Sequence, residues 1–378
     1  MSLLRFGLAC SIASISGCGS DANPVVDAPP AVDAAPAAFT LEATDLVGGT
    51  FTTAQTFNGF GCTGQNLSPA LRWANPPAGT KSFVLTVFDP DAPTGSGFWH
   101  WTMFDVPAAT TALAANAAAA APAGAIQGYT DFGRPGYGGP CPPDGDTPHR
   151  YVFKLSALSV DHLGLTAAAP GALVTFAALG STLGTATVTA TYGRGTPGTT
   201  QHPEVPTAAG FTLASDDVPA GGTFANDQLL NAFGCTGNNV SPGLRWTGVP
   251  AGTKSLVLTV FDPDAPTGSG FWHWTAFDIP VATTSLAKGA GTAGARLGGG
   301  VQGYNDTGAN AYAGPCPPAG DPPHHYIFTL YAIPLDTLTT QGLSAAAPGG
   351  LIGFATRATA TAKATFTATY GRAAAAPY

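Results

Sequence analysis

Ser82-Phe83-Val84-Leu85-Thr86-Val87-Phe88 is an unbroken β-branched and aromatic run that stops at Asp89-Pro90. That pattern predicts a buried strand ended by a turn. Over 98–104 large aromatics alternate with His100 and Thr102, which predicts a strand with two distinct faces. Residues 151–158 predict a third strand, and 185–192, where Thr alternates with apolar residues, a fourth. A helix is expected over 172–179, after an Ala-Ala-Pro-Gly start. The whole pattern then comes again. Residues 84–102 recur without a change as 257–275, and the second helix is expected over 351–359. Two long units predict two domains of one fold rather than a solenoid of short repeats. The stretches 113–126 and 286–301 match least, differ in length and read as a surface loop. The expected class is mainly β: two tandem antiparallel β-sandwich domains, each with a few short helices.

The boundaries follow from composition. Residues 1–18 carry one charge, Arg5, before a short apolar stretch and Ile15-Ser16-Gly17-Cys18. This reads as an export signal with a lipobox-like end, so Cys18 is the expected lipidation site; a plain cleaved signal is the alternative. Residues 19–38, rich in Ala, Pro and Asp without aromatics, predict a disordered tether. The first domain is placed at 39–194, a linker with His202 and Glu204 at 195–210, the second domain at 211–372 and a tail at 373–378. The predicted location is the bacterial cell envelope, lipid-anchored, with the domains in the periplasm or outside the cell. The formal net charge is −8 with no Lys/Arg cluster, which argues against nucleic acid. Cys10 leaves with the signal and Cys18 is taken up by lipid, so two cysteines remain in each repeat. In an oxidising compartment Cys62–Cys141 and Cys235–Cys316 are the natural pairs, with buried free thiols as the alternative. No CxxC spacing marks a zinc site.

Three polar segments recur where packing alone does not require them. They are Asp89-Pro90-Asp91-Ala92-Pro93, Phe98-Trp99-His100-Trp101, and Gly139-Pro140-Cys141-Pro142-Pro143 leading to His149-Arg150-Tyr151. Taken singly, the first is an Asp-Pro turn, the second holds a core histidine, and the third is a stiff proline loop. Yet four of the seven histidines, His100, His149, His273 and His324, occupy matched positions, which points to a site. The repeats differ beside it: Arg150 becomes His325, and Arg134, Pro135 and Gly136 give way to Ala309, Asn310 and Ala311.

In this order and spacing the segments resemble the phosphatidylethanolamine-binding protein family, in its bacterial branch similar to Raf kinase inhibitor proteins. The resemblance covers almost all of each repeat. It implies a β-sandwich with a small pocket for phosphate, phosphorylethanolamine or acetate-like groups, and no cofactor. The implied ligand-binding positions are Asp89, His100, Pro143, His149 and Tyr151, then Asp262, His273, Pro318, His324 and Tyr326. Asp91 and Asp264 are expected to brace the turn. Two imidazoles and a phenol can donate to an oxyanion, more strongly once His is charged. Asp89 either fixes a histidine tautomer or accepts from an ammonium. Two rival readings stand beside this one. One is an inhibitor or regulator of an extracytoplasmic protease or other protein. The other is a metal-dependent hydrolase built on the His/Asp cluster, although no GxSxG or HExxH motif is present.

Overall fold

Phe83, Leu85 and Val87 point from one face of their strand into a core with Trp101, Phe153 and Leu155, while Val84 points from the other face toward Leu173 and Val174. A strand covered on both sides needs no polar face, which is why its sequence runs continuously apolar. The computed structural model describes residues 37–374. The expected signal segment with Cys18, nearly all of the tether and most of the tail lie outside the described residues. Within the described residues the chain is mainly β.

In the first repeat a five-stranded sheet runs in the order Thr182–Tyr192, His149–Leu158, Ser82–Asp89, Phe98–Pro107, Ile126–Gln127. A three-stranded sheet of Thr40–Ala43, Leu71–Ala74 and Ala112–Leu113 faces it across the main core. All these pairings are antiparallel. Helix α1 (Gly171–Ala178) covers the outer face of the large sheet. The second repeat has the same plan. Its large sheet is centred on Ser255–Asp262 and His324–Ile333, and it carries helix α2 (Gly349–Thr359). The helices begin within two residues of the expected positions. The last strand of the first repeat starts earlier than its apolar pattern, at Thr182 rather than 185.

Disulfides join Cys62 to Cys141 and Cys235 to Cys316. Each ties a loop near the large sheet's end to the proline-rich segment before the His149 or His324 strand.

The two repeats pack against each other by exchanged contacts. Trp99 Nε1 donates to Ser269 Oγ at 3.2 Å, and Trp272 Nε1 to Ser96 Oγ at 3.1 Å. Tyr129 donates its hydroxyl to Ala346 O, and Tyr304 to Ala168 O, both at 2.9 Å. The two tyrosine rings lie 4.6 Å apart between centroids. Such mirrored pairs are what a two-fold, self-complementary contact produces. Helix α2 shares an apolar cluster with Phe98 and Phe132 of the first repeat.

Candidate functional site

Asp89 ends its strand and is buried. Its Oδ1 accepts from the Asp91 N–H at 2.8 Å, closing the Asp-Pro turn. Its Oδ2 lies 2.7 Å from His149 Nδ1, brought in by the strand that starts at residue 149. His100 arrives by a different device. Val87 pairs with Trp101 and Phe88 with Trp99, so His100 is the extra residue of a β-bulge. A bulge re-aims a side chain and is common beside functional sites. The second repeat repeats it: Val260 pairs with Trp274 and Phe261 with Trp272, leaving His273 over.

His100 Nδ1 donates to Gly138 O at 2.8 Å, which leaves Nε2, 4.0 Å from Asp89 Oδ2, as the nitrogen without a proton. Burial lowers the His100 pKa, and Asp89 recovers only part of the loss. His273 matches it, with Nδ1 at 2.8 Å from Ala313 O and a pKa again lowered by burial. His149 differs. Burial works against its charge, but Asp89 and then Asp146, 3.2 Å from Nε2, outweigh it and raise the pKa. Asp146 also takes His202, which lies between the two repeats, at 2.8 Å. In the second repeat His324 Nδ1 keeps the 2.7 Å bond to Asp262, but Asp321 stands back at 3.6 Å from Nε2.

The phenols complete the floor. The hydroxyls of Tyr151 and Tyr326 are both buried without a hydrogen-bond partner. Burial first, and then the nearby Asp89 or Asp262, pushes both far above the ordinary phenol range, so each keeps its proton. Each phenol lies close to that carboxylate without making a well-formed hydrogen bond to it, so its donor is left free for a ligand.

The geometry gathers all ten expected pocket positions around two hollows. Asp89, His100, Pro143, His149 and Tyr151 line one of ≈ 540 Å³, mouth included. Asp262, His273, Pro318, His324 and Tyr326 line the other, of ≈ 450 Å³. Asp91 and Asp264 stand outside them. Asp91 holds the Arg150 guanidinium at 2.7 and 2.9 Å and its N–H at 2.8 Å, so it ties the turn to the next strand. Asp264 holds the His325 N–H at 2.7 Å in the same way. Several lining residues were missed by sequence reasoning. Phe60, Phe132 and Arg194 line the first pocket, together with Leu351 and Phe354 from the other repeat's helix. Leu173 and Phe176 cross over to the second pocket. The repeated Phe60-Gly61-Cys62 and Tyr192-Gly193-Arg194 segments held a signal for Phe60 and Arg194; nothing local marked the helix residues. Among the described residues no group of three or more His, Cys, Asp or Glu is arranged to hold a metal ion.

The model of the phosphatidylethanolamine-binding protein family matches residues 47–193 and again 215–371. Over 160 residues the chain is 46% identical to UPF0098 protein YbcL of Escherichia coli, covering 41% of this chain and 87% of YbcL. Over 103 residues it is 45% identical to a Mycobacterium tuberculosis protein named as lipoprotein LppC, covering 27% of this chain and 48% of LppC. The crystal structure of E. coli YbcL aligns over 42% of this chain and 99% of YbcL, at 45% identity and a TM-score of 0.41. The disulfides and the lipoprotein relative fit an exported protein. No described helix is long and apolar enough to cross a membrane.

Proposed function

Since this chain belongs to the phosphatidylethanolamine-binding protein family in both of its repeats, we propose that each pocket binds the oxyanion end of a small phosphate- or carboxylate-bearing molecule, without chemistry on it. The observation that carries this reading is the pair of buried, unpartnered hydroxyls of Tyr151 and Tyr326. A buried donor without a partner loses about 1–3 kcal/mol, which an arriving oxyanion restores. Next to it stands a neutral imidazole, His100 or His273, whose free Nε2 accepts rather than donates. That arrangement suits an anion that still carries a proton, such as a phosphate monoester, whose second pKa is about 6. His149 is not a free donor, because both of its nitrogens face carboxylates. Asp89 already accepts at both oxygens, so its first role is to fix His149, with an ethanolamine ammonium a secondary guest.

Calorimetry of the full chain with inorganic phosphate and with phosphorylethanolamine, from pH 5 to 8, tests the proposal. Affinity rises as pH falls, with uptake of a proton on binding. Because burial lowers His100 and His273, direct charging of these rings adds to it only below the ordinary imidazole range. Tyr151→Phe together with Tyr326→Phe weakens binding about tenfold or more while the fold persists. No heat with either ligand at any pH sinks the reading.

Export and lipidation at Cys18 belong to the same proposal. They predict that the chain fractionates with membranes and that Cys18→Ala releases it; a variant that stays membrane-bound contradicts the anchor.

A further inference from the structure

Phe60 is the least comfortable residue near the first pocket. Its φ is +50°, in the left-handed region that a bulky side chain rarely occupies, and the residue is 48% exposed. Strain of that kind costs about 1–3 kcal/mol and persists where something else requires it. The two-residue hairpin turn Phe60-Gly61, between Asn58–Gly59 and Cys62–Thr63, accounts for the positive φ, but Asn or Gly fills such a position more easily, and the turn does not require a half-exposed aromatic ring there. From the lip inward, Phe60 stacks on Phe132 at 6.1 Å, Phe132 meets Phe98 edge-on at 5.0 Å, and His100 meets Phe132 edge-on at 5.3 Å. Phe354 of the opposite repeat closes the ring from the other side, 6.5 Å from Phe60. The wall from solvent to the imidazole is thus aromatic, and one of its panels is lent by the other repeat.

The second pocket breaks this wall. Thr307 lines it where the first has Phe132, though Phe233 keeps the same lip position with φ +52°. Phe271 and Phe176 remain, 5.1 Å from His273 and 5.7 Å from Phe233 respectively, with no ring between them in the Phe132 position.

We propose that the first pocket selects an oxyanion carried on a flat aromatic group, and that the second, lacking the Phe132 panel, does not. This rests on the oxyanion reading of the pockets. The head meets Tyr151 and His100, and the ring slots among Phe60, Phe98, Phe132 and Phe354. Aromatic pairing adds to area burial, so a ring outperforms an alkyl group of similar bulk.

The test is calorimetry of the full chain with phenyl phosphate, n-butyl phosphate and inorganic phosphate, with benzoate and acetate as the carboxylate arm. Tyr151→Phe and Tyr326→Phe assign each binding step to its pocket. The first pocket is expected to prefer phenyl over n-butyl phosphate about fivefold. Phe132→Thr removes that preference, and so does Phe60→Ala, a change at an exposed ring that the fold tolerates. Thr307→Phe creates the preference in the second pocket, a gain that does not depend on Phe132→Thr folding. A preference seen only for benzoate over acetate supports the aromatic wall with a carboxylate as head. Inorganic phosphate bound at the first pocket with equal affinity for phenyl and n-butyl phosphate, and no benzoate preference, overturns the selectivity and spares the oxyanion site. Failure of every oxyanion to bind overturns both.

Discussion

One carboxylate organises each pocket. Asp89 holds a turn N–H with one oxygen and His149 with the other, and both the carboxylate and the imidazole are buried. Removing one partner of a buried pair strands the other and typically costs about 3–5 kcal/mol. Asp89→Asn is therefore expected to lose stability on that scale, read by urea unfolding, whereas Asp91→Asn, at a partly exposed pair with Arg150, loses about 1 kcal/mol or less. The two histidines pull stability in opposite directions with pH. The His149 pKa is raised, so its contribution is full below the ordinary imidazole pKa and is lost as pH climbs through the raised value. The His100 pKa is lowered, so its contribution is full above the ordinary value and is lost as pH falls toward the lowered one. The residue types were legible: Asp-Pro-Asp-Ala-Pro, Phe-Trp-His-Trp and the proline loop before His149 announced themselves by recurring. Their protonation was not. It depends on which carbonyl faces Nδ1, Gly138 in one repeat and Ala313 in the other, and no local pattern reveals that partner.

At the scale of the element, strands were readable and their offsets were not. Alternation and β-branched composition mark 82–88 and 98–104 as strands, because both follow from one stretch of chain. The bulge that leaves His100 over depends on the register between two strands, which neither writes alone. The helices show a related limit. Their Pro-Gly starts were plain, but α2 contains Gly353 for a reason outside the helix. A Cβ there would stand 2.3 Å from the Thr94 carbonyl oxygen of the other repeat. The corresponding position in α1 is Thr175, whose hydroxyl bonds Gly171 O at 2.9 Å. Gly353→Ala is therefore expected to destabilise by about 1–3 kcal/mol through overpacking. Thr175→Ala should change the denaturation midpoint little. A Gly353→Ala chain as stable as the parent would show that this contact gives way easily.

Across the whole molecule, the contact between repeats contains two buried acids that the sequence did not single out. Asp131 Oδ2 accepts the Trp99 N–H and Asp306 Oδ2 the Trp272 N–H, each at 2.8 Å. Burial raises the Asp131 pKa to about 7, against the pull of the Trp99 and Gly350 N–H groups. Burial also raises Asp306 well above the carboxyl range, and the charge of Asp131 adds to it. The folded chain thus keeps protons that the unfolded chain releases. The stability that Asp131 contributes is full below its ordinary value of 3.8, declines as pH rises from there toward about 7 and then levels off. Asp131→Asn should flatten that slope in melting curves taken across the same range; an unchanged slope would move the cause elsewhere. These acids were invisible beforehand for the same reason as Leu351 and Phe354: their surroundings come from the docking of one repeat on the other. That docking has a consequence of its own. Two identical free-standing subunits would separate on dilution, and any substitution would fall on both at once. Here one backbone holds the partners together at every concentration. Each member is also free to change alone, so an inherited matched pair can drift into a specialist and a generalist within a single molecule.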